Sequence, residues 1–340
     1  MKILGIAASD YDPASRFRIL QYQKFLGELG TRLDCRFPYP PKESAPSRWV
    51  LKNQWVWHQC QVIGRLNIVF RQLFHDIIWQ NRLLLSGYYS AERLYQKKKL
   101  VFDIDDAIWL TEGKQQVNRI IQTARMVFAG NSYLADYCIK LNKDTLVVPS
   151  VIDTDKFKPA QKQDAGTFTI GWIGTESNFS YLNIIKEPVK QFLSQTKNTR
   201  FVIVSSKKPD LFRFENERII FRKWSEQDEV NFINEFDIGI MPLIEDDWTK
   251  GKCGYKILQY MSCRKAFVAS PAGVNKHIIE KSEAGIGANT ADEWLKAFNY
   301  LLNDYAMRNN ISEKGRHFVE NYYSCNIWAP RVNDYFKKLS

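Results

Sequence analysis

The sequence has few cysteines, no close pair of them and no long apolar run. Its six cysteines, at positions 35, 60, 138, 253, 263 and 325, form no Cys-x-x-Cys pair. Scattered thiols argue against a disulfide framework or a zinc site, and they favour a cytoplasmic protein. No apolar run reaches the roughly 18 residues of a membrane-spanning helix. The early run from Ile3 to Ser9 is too short for a signal peptide and predicts a first strand.

Acidic residues are the scarcer of the two charge classes. The chain has 37 Asp and Glu against 48 Lys and Arg, so its formal net charge is +11. A basic balance of this size indicates nucleic acid, an anionic membrane surface or an anionic small substrate. The sequence lacks an RNP, zinc-knuckle or helix-turn-helix signature, so we expect no nucleic-acid partner. An anionic ligand and a membrane surface remain.

The length of the chain indicates more than one domain. Its 340 residues suit two domains of about 150 residues each. Both halves alternate apolar strand patterns with helical patterns, which predicts an α/β protein with doubly wound sheets. The stretch 149–166 has two prolines and no periodicity, and we take it as the domain boundary.

The stretch 236–275 carries the most informative pattern. Two short apolar runs, 238–243 and 266–270, flank a helical pattern and predict a βαβ unit. Lys252, Lys256 and Gln259 would share one face of that helix. Two lysines near a helix N-terminus repel each other and oppose the helix dipole, unless an anion such as a phosphate lies there. The alternative is an ordinary solvated lysine face.

A second basic run lies near the start of the chain. Ser15, Arg16 and Arg18 fall in the first turn of a helix predicted over 16–29. Arginines at that position oppose the helix dipole, which favours a role in binding an anion. The alternative is a pair of surface arginines.

Acidic residues follow a predicted strand at 100–103. Ligands of open α/β sheets bind at the carboxyl ends of strands, which makes Asp105 and Asp106 candidate catalytic residues. Two alternatives stay open. Either residue could cap the next helix, or the Asp-x-Asp pattern could hold a metal ion.

The stretch 49–75 is rich in tryptophan, arginine and branched residues. Its apolar residues recur at helical spacing, which predicts a basic amphipathic helix. Such a helix could lie on an anionic membrane surface or simply pack on the sheet.

The run 236–275 resembles the donor-binding unit of retaining glycosyltransferases of family 4, which have the GT-B fold. In this run, members of that family carry two glutamates eight positions apart. This sequence has Gly251 and Gln259 at those two positions. The PSVIDTDKFKP boundary, the DIDDA run and the Ser15–Arg18 region are similar to the same family in order and spacing. The resemblance covers nearly the whole chain.

The resemblance implies a GT-B architecture of two Rossmann-like domains facing across a cleft. Residues 1–155 would bind the acceptor and residues 156–322 the nucleotide-sugar. Residues 323–340 would form a helix that crosses back to the first domain.

The resemblance also implies an activity. The protein would move a sugar from a nucleotide-sugar donor to a glycan or lipid-linked acceptor in surface polysaccharide synthesis, with retention and with neither cofactor nor metal. The scattered cysteines favour the cytoplasm, and the basic charge with the stretch 49–75 favours a peripheral position at the inner face of the membrane. Because both glutamates are missing, two alternatives stay open: a non-catalytic nucleotide-sugar-binding protein and an epimerase on the same fold.

The residues of the donor site follow from the same resemblance. Many family members carry Arg and Lys directly after the first strand of the second domain, where this chain has Thr175 and Glu176. Lys252 and Lys256 therefore become the candidates for the donor phosphates, and Trp224 lies where the base would rest. The full expected set is Gly174, Thr175, Glu176, Trp224, Lys252, Cys253, Gly254, Tyr255, Lys256 and Gln259. Ser15, Arg16 and Arg18 would bind the acceptor or a phosphate.

Overall fold

The computed structural model describes residues 1–39, 54–85, 91–162, 166–210 and 216–339. Contacts divide the chain into two compact units. Unit 1 consists of Met1–Val151, Gly251–Cys253 and Cys325–Ser340, and unit 2 of Ile152–Lys250 and Gly254–Ser324.

Unit 1 contains a six-stranded parallel sheet in the order β2-β1-β3-β4-β5-β6. The strands are β1 (Lys2–Ile6), β2 (Arg32–Arg36), β3 (Ile77–Asn81), β4 (Leu100–Ile104), β5 (Met126–Ala129) and β6 (Thr145–Val147). Every residue of β3 and β4 is buried, as expected for strands with both faces covered.

The helices of unit 1 are shorter than the sequence pattern predicts. They are α1 (Pro13–Ser15), a π-helix (Arg16–Leu20), α2 (Tyr22–Glu28), α3 (Gln54–Arg71), α4 (Lys114–Thr123) and α5 (Ser132–Cys138), with 3-10 helices at Gln72–Phe74, Ala91–Leu94, Lys97–Lys99 and Ile108–Leu110. The single helix predicted over 16–29 is interrupted by the π-helix. Part of the predicted helical stretch 49–75 lies outside the described residues.

Residues 91–99 form two 3-10 helices rather than one α-helix. The side chain of Gln72 accepts the N–H of Gln96 at 2.7 Å and donates to the carbonyl of Leu94 at 3.0 Å. Gln96 itself has an extended backbone. The backbone carbonyl of Leu94 and the backbone N–H of Gln96 therefore bond to a side chain rather than to each other's helical turn, and the helix is not continuous.

Unit 2 contains a second six-stranded parallel sheet, in the order β12-β11-β10-β7-β8-β9. The strands are β7 (Phe168–Ile173), β8 (Thr199–Ser205), β9 (Ile219–Lys223), β10 (Ile238–Met241), β11 (Ala266–Ala269) and β12 (Gly285–Gly287). The order reverses between β7 and β10. In open α/β sheets, ligands bind at the carboxyl ends of the strands beside such a reversal.

Helices surround the sheet of unit 2. They are a 3-10 helix (Glu176–Ile185), α6 (Lys186–Gln195), α7 (Glu229–Asn234), α8 (Asp247–Lys250), α9 (Tyr255–Ser262), α10 (Val274–Ser282), α11 (Ala291–Asn303) and α12 (Tyr305–Tyr322). The predicted βαβ unit over 236–275 is present: β10 and β11 pair in parallel, and α9 lies between them in sequence. The Tyr260 hydroxyl of α9 donates to the Ile240 carbonyl of β10 at 3.1 Å, which fixes the helix on the sheet.

The last helix, α13 (Cys325–Lys337), follows unit 2 in sequence but packs in unit 1. The Thr31 hydroxyl donates to the side-chain oxygen of Asn333 at 2.7 Å, and the Phe336 ring lies 5.2 Å from that of Trp79. The C-terminal helix therefore returns to the first Rossmann-like unit, as predicted. Within the described ranges, no helix is long and apolar enough to cross a membrane.

Candidate functional sites

Lys256 lies at the carboxyl end of β7, beside the reversal in strand order of unit 2. A Cβ atom on Gly174, the residue after β7, would come within 2.8 Å of Lys256 Cε and 2.6 Å of the Trp172 ring. The Lys256 ammonium is 6.0 Å from the centroid of that ring. Glycine at position 174 leaves room for the Lys256 side chain, which therefore packs directly on the turn after β7.

The turn before α9 sets where Lys256 falls on the helix. Gly254 has a φ of 68°, in the left-handed region that favours glycine. A Cβ there would also lie 3.0 Å from atoms of Val274 and Ile278. The helix begins at Tyr255, which puts Lys256 in its first turn and Gln259, which is buried, about one turn further.

Lys252 lies before α9, which corrects the predicted helix face. The turn at Gly254 separates it from Lys256, and its backbone is placed in unit 1 rather than unit 2. The i, i+4 pair of lysines is therefore absent. Lys256 and Gln259 remain on one helix.

The residues after Gly174 form a polar turn. The Thr175 hydroxyl bonds to that of Ser177 at 2.9 Å and accepts from the Asn178 amide at 2.8 Å. Glu176 is ion-paired with Lys207 at 3.0 Å, and hydrogen bonding from Lys207 lowers the pKa of Glu176. Lys207 follows β8 and offsets the charge of Glu176, two residues after Gly174. Sequence reasoning missed Lys207, because its ion pair joins the ends of two separate strands.

Trp224 follows β9, and its indole N–H forms a hydrogen bond within unit 2. Its indole N–H donates to Glu229 at 3.1 Å, and Glu229 is buried. Both Trp224 and Tyr255 pack against the same hydrophobic cluster. Trp224 and Tyr255 thus contribute to the packing of unit 2, and their predicted place in the donor site stays a prediction.

The segment Gly251–Cys253 is part of unit 1. The side-chain amide of Asn131 donates to the carbonyls of Gly251 and Lys252 at 3.1 Å each, and the Cys253 thiol donates to the carbonyl of Asp105 at 3.2 Å. Burial raises the pKa of the Cys253 thiol. The Cys253 thiol therefore holds this segment against Asp105, and its predicted place in the donor site stays a prediction.

Asp105 and Asp106 both bind Arg82. The guanidinium Nε lies 3.1 Å from Asp105 and Nη2 lies 2.5 Å from Asp106, while the Asn81 amide donates to Asp105 at 3.3 Å. Burial alone would raise the pKa of Asp105, but the charges of Arg82 and Arg18 hold it below its usual value. Two carboxyl groups that share one arginine therefore lie at the carboxyl end of β4.

The capping alternative for these aspartates is wrong. The 3-10 helix at Ile108–Leu110 starts from Ala107 without a side-chain cap. Arg82, which holds both carboxylates, was missed in the sequence. It belongs to no motif, and its φ of 60° in the left-handed region could not be inferred from residue type.

Ser15 and Arg18 form hydrogen bonds within unit 1, and their predicted anion-binding role stays a prediction. The Ser15 hydroxyl accepts the N–H of Ala8 at 2.9 Å and donates to Asp12 at 2.9 Å. The buried Arg18 guanidinium forks onto Asp103 at 2.8 and 2.9 Å and donates to the Val148 carbonyl at 2.8 Å. Nε, Nη1 and Nη2 of Arg18 are therefore all used in hydrogen bonds within unit 1.

Arg16 lies next to this network. Its guanidinium carbon is 4.9 Å from the centroid of the Phe17 ring, and the residue is largely buried. Its assignment to an acceptor phosphate stays a prediction.

Solved structures share the architecture of the whole chain. Sucrose-phosphate synthase from Thermosynechococcus elongatus aligns with a TM-score of 0.72 at 13% identity, covering 99% of this chain and 98% of that one. A glycosyltransferase from Rickettsia africae aligns with a TM-score of 0.71 at 15% identity, covering 99% and 98%. HepE of Anabaena, in complex with UDP-glucose, aligns with a TM-score of 0.69 at 14% identity, covering 99% and 100%.

The sequence comparisons bear on unit 2. No curated protein matches the chain. The profile of the family described as "Glycosyl transferases group 1" matches residues 167–304. That match includes β7, Gly174, the βαβ unit and Lys256. Residues 167–304 therefore match the glycosyl transferases group 1 family, within a chain that has the GT-B fold.

Proposed function

We propose that this protein is a retaining glycosyltransferase that moves a sugar from a nucleotide-sugar to a glycan or lipid-linked acceptor in surface polysaccharide synthesis. The observation that carries the proposal is the position of Lys256. Its side chain crosses Gly174 at the carboxyl end of β7, inside the segment that matches the family. Since HepE of Anabaena is seen in complex with UDP-glucose, a uridine-diphosphate sugar is the first donor to test.

Unit 2 would bind the donor. In glycosyl transfer from a nucleotide-sugar, the bond from the anomeric carbon to the diphosphate breaks, and negative charge develops on the leaving group. A cation held at that position stabilises the transition state. Lys256 supplies this charge, and the adjacent Lys207 keeps Glu176 from opposing it. The amide of Gln259 can both donate to and accept from ribose hydroxyls.

Unit 1 would bind the acceptor. Arg82 holds Asp105 and Asp106, and the pKa of Asp105 lies below its usual value. Asp105 therefore suits the orientation of an acceptor hydroxyl better than proton abstraction near neutral pH. Arg16 would hold an acceptor phosphate. We propose that neither a metal ion nor a cofactor takes part, and that the protein works in the cytoplasm.

A non-catalytic nucleotide-sugar-binding protein is the second candidate. The observation that favours it is the presence of Gly251 and Gln259 at the positions of the two family glutamates. Binding without transfer would support this candidate, so the experiment must measure both.

The test combines nucleotide binding with transfer. We expect the melting temperature to rise with one nucleoside diphosphate of a panel, and the corresponding sugar nucleotide to release that diphosphate when acceptor is present. Lys256→Ala should lower the rate by about 100- to 1000-fold, as for the loss of one electrostatic stabiliser, and should weaken diphosphate binding. Lys190→Ala, at an exposed lysine of α6, is the matched control.

Three results would count against the proposal. If no diphosphate shifted the melting temperature, unit 2 would not bind a nucleotide. Binding without release would favour the non-catalytic candidate. A normal rate and affinity in Lys256→Ala would assign the diphosphate to other cations.

A further inference from the structure

Two neighbouring strand ends of unit 2 hold a carboxylate between them. Strands β7 and β8 pair in parallel, and directly after them the N–H of Gly174 donates to the carbonyl of Val204 at 3.0 Å. Glu176 follows β7, and Ser206 and Lys207 follow β8. The Ser206 hydroxyl donates to one carboxylate oxygen of Glu176 and the Lys207 ammonium donates to the other, each at 3.0 Å. We call Ser206 and Lys207 the β8 anion site.

The group held at the β8 anion site is charged. Hydrogen bonds from Lys207 and Ser206 lower the pKa of Glu176, so its carboxyl group is ionised at neutral pH. A phosphate group presents oxygens of the same kind, which accept hydrogen bonds from an ammonium and a hydroxyl group in the same way. The two donors that hold Glu176 are therefore suited to a phosphate as well.

The contact between Glu176 and Lys207 is accessible and weak. The side chain of Lys207 is 74% exposed and that of Glu176 is 41% exposed. Exposed ion pairs contribute little free energy, because water and salt screen both charges. A ligand that arrives from solvent can thus reach Lys207, and a phosphate can replace the carboxylate there at a small cost.

The β8 anion site lies at the edge of the sheet where Lys256 also lies. Gly174, two residues before Glu176, packs against the Lys256 side chain. This edge consists of the carboxyl ends of the strands, beside the reversal in strand order between β7 and β10. A nucleoside diphosphate carries more negative charge than one lysine neutralises, so a second cation at this edge would contribute to its binding.

We propose that Ser206 and Lys207 bind a phosphate group of the nucleotide, and that Glu176 occupies this site while the protein is free of nucleotide. Glu176 is then an internal competitor, which the nucleotide displaces from Lys207 as it binds. The inference rests on the proposed function, because it takes the ligand of unit 2 to be a nucleoside diphosphate. It also gives Glu176 a role other than direct contact with the donor, since removal of its charge should strengthen binding.

Calorimetric titration of the full chain with UDP tests the proposal. Glu176→Gln removes the competing charge and should raise the affinity for UDP by about three- to fivefold, the factor that corresponds to an exposed ion pair. In the Glu176→Gln background, Lys207→Gln should then lower this affinity by about tenfold, because a charge-assisted hydrogen bond to phosphate is lost. That background is needed because in the wild type the loss of Lys207 would also leave the charge of Glu176 unbalanced.

The matched control is Lys208→Gln in the same background. Lys208 is the next residue along the chain and is also exposed, so its loss removes the same charge without touching the β8 anion site, and the affinity for UDP should stay that of Glu176→Gln. Glu176, Lys207 and Lys208 are all exposed, so the melting temperatures of the variants without ligand should equal that of the wild type.

Two results would overturn the inference and leave the proposed function intact. If the wild type binds UDP and Glu176→Gln binds it no more tightly, Glu176 does not compete with the nucleotide. If Glu176→Gln/Lys207→Gln binds UDP as tightly as Glu176→Gln, Lys207 only balances Glu176 in an ordinary surface ion pair. A wild-type protein that binds no UDP would instead count against the proposed donor and against this inference together.

Discussion

At the scale of single residues, the functional side chains of unit 1 depend on one arginine. Arg82 adopts a left-handed backbone conformation and holds Asp105 and Asp106 through separate nitrogens. Without this residue two ionised carboxylates would lie side by side. Arg82 thus balances the negative charge of the two candidate acceptor residues and orients their carboxylates.

Asp105→Asn should lower both stability and turnover. Loss of a hydrogen bond to a charged group costs about 1.5–3 kcal/mol, and acceptor binding should weaken while nucleotide affinity is kept. The pKa of Asp105 is lowered in the folded state, so its contribution is present above the unfolded pKa of about 3.9. That contribution is lost as the pH falls through the folded pKa, and the stability difference between wild type and variant should shrink there. Denaturant unfolding across pH, with steady-state rates, measures both effects.

Asp144→Asn is the control for this substitution. Asp144 forms a 2.7 Å ion pair with Arg125 on the surface of unit 1. Exposed pairs contribute about 0–1 kcal/mol, so stability and rate should barely change. An Asp105→Asn variant with a normal rate per folded molecule would leave Asp105 with a structural role alone.

At the scale of elements, α13 completes the core of unit 1. Ala329, Val332 and Phe336 are buried among side chains of β1, β3, β4 and β5. The ring of Phe336 lies 5.2 Å from that of Trp79 and 5.6 Å from that of Phe128. The C-terminal helix therefore covers one face of a sheet formed by the first part of the chain.

Phe336→Ala should destabilise unit 1 by about 3–5 kcal/mol, because it leaves a cavity in a fully packed core. Asp334→Ala, at an exposed residue of the same helix, should have little effect. Nucleotide binding by unit 2 should persist in both variants. Thermal unfolding and nucleotide titration measure these outcomes, and a loss of nucleotide affinity in Phe336→Ala would show that α13 acts on unit 2 as well.

At the scale of the whole molecule, each described core cluster lies inside one unit. One cluster joins β1, β3, β4 and β5 of unit 1 to α13, and two clusters cover the sheet of unit 2. Each unit thus has a hydrophobic core of its own. Such a chain is a candidate for unfolding in more than one step.

Calorimetry should therefore resolve two transitions. A bound nucleoside diphosphate should raise only the melting temperature of unit 2. The free energy of unfolding of that unit should rise by RT ln(1 + [L]/Kd). Phe336→Ala should lower only the melting temperature of unit 1. One transition that responds as a whole to both changes would mean that the two units unfold cooperatively.

The sequence by itself determined the architecture and the helix that carries Lys256. Alternating strand and helix patterns and the βαβ unit over 236–275 are properties of neighbouring residues, and local periodicity expresses them directly. The family resemblance then predicted the GT-B fold, which the structure confirms.

Only the tertiary structure decided which polar residues are structural and which surface is left open. Arg18 meets Asp103 across 85 positions of the sequence, and Cys253 meets Asp105 across 148. Partners at such separations leave no periodic pattern, so both residues resembled ligand-binding groups. The amphipathic pattern of 49–75 likewise predicted a helix, but the packed and exposed sides of α3 depend on the burial of Arg65 in unit 1. That contact is set by the fold of the whole unit.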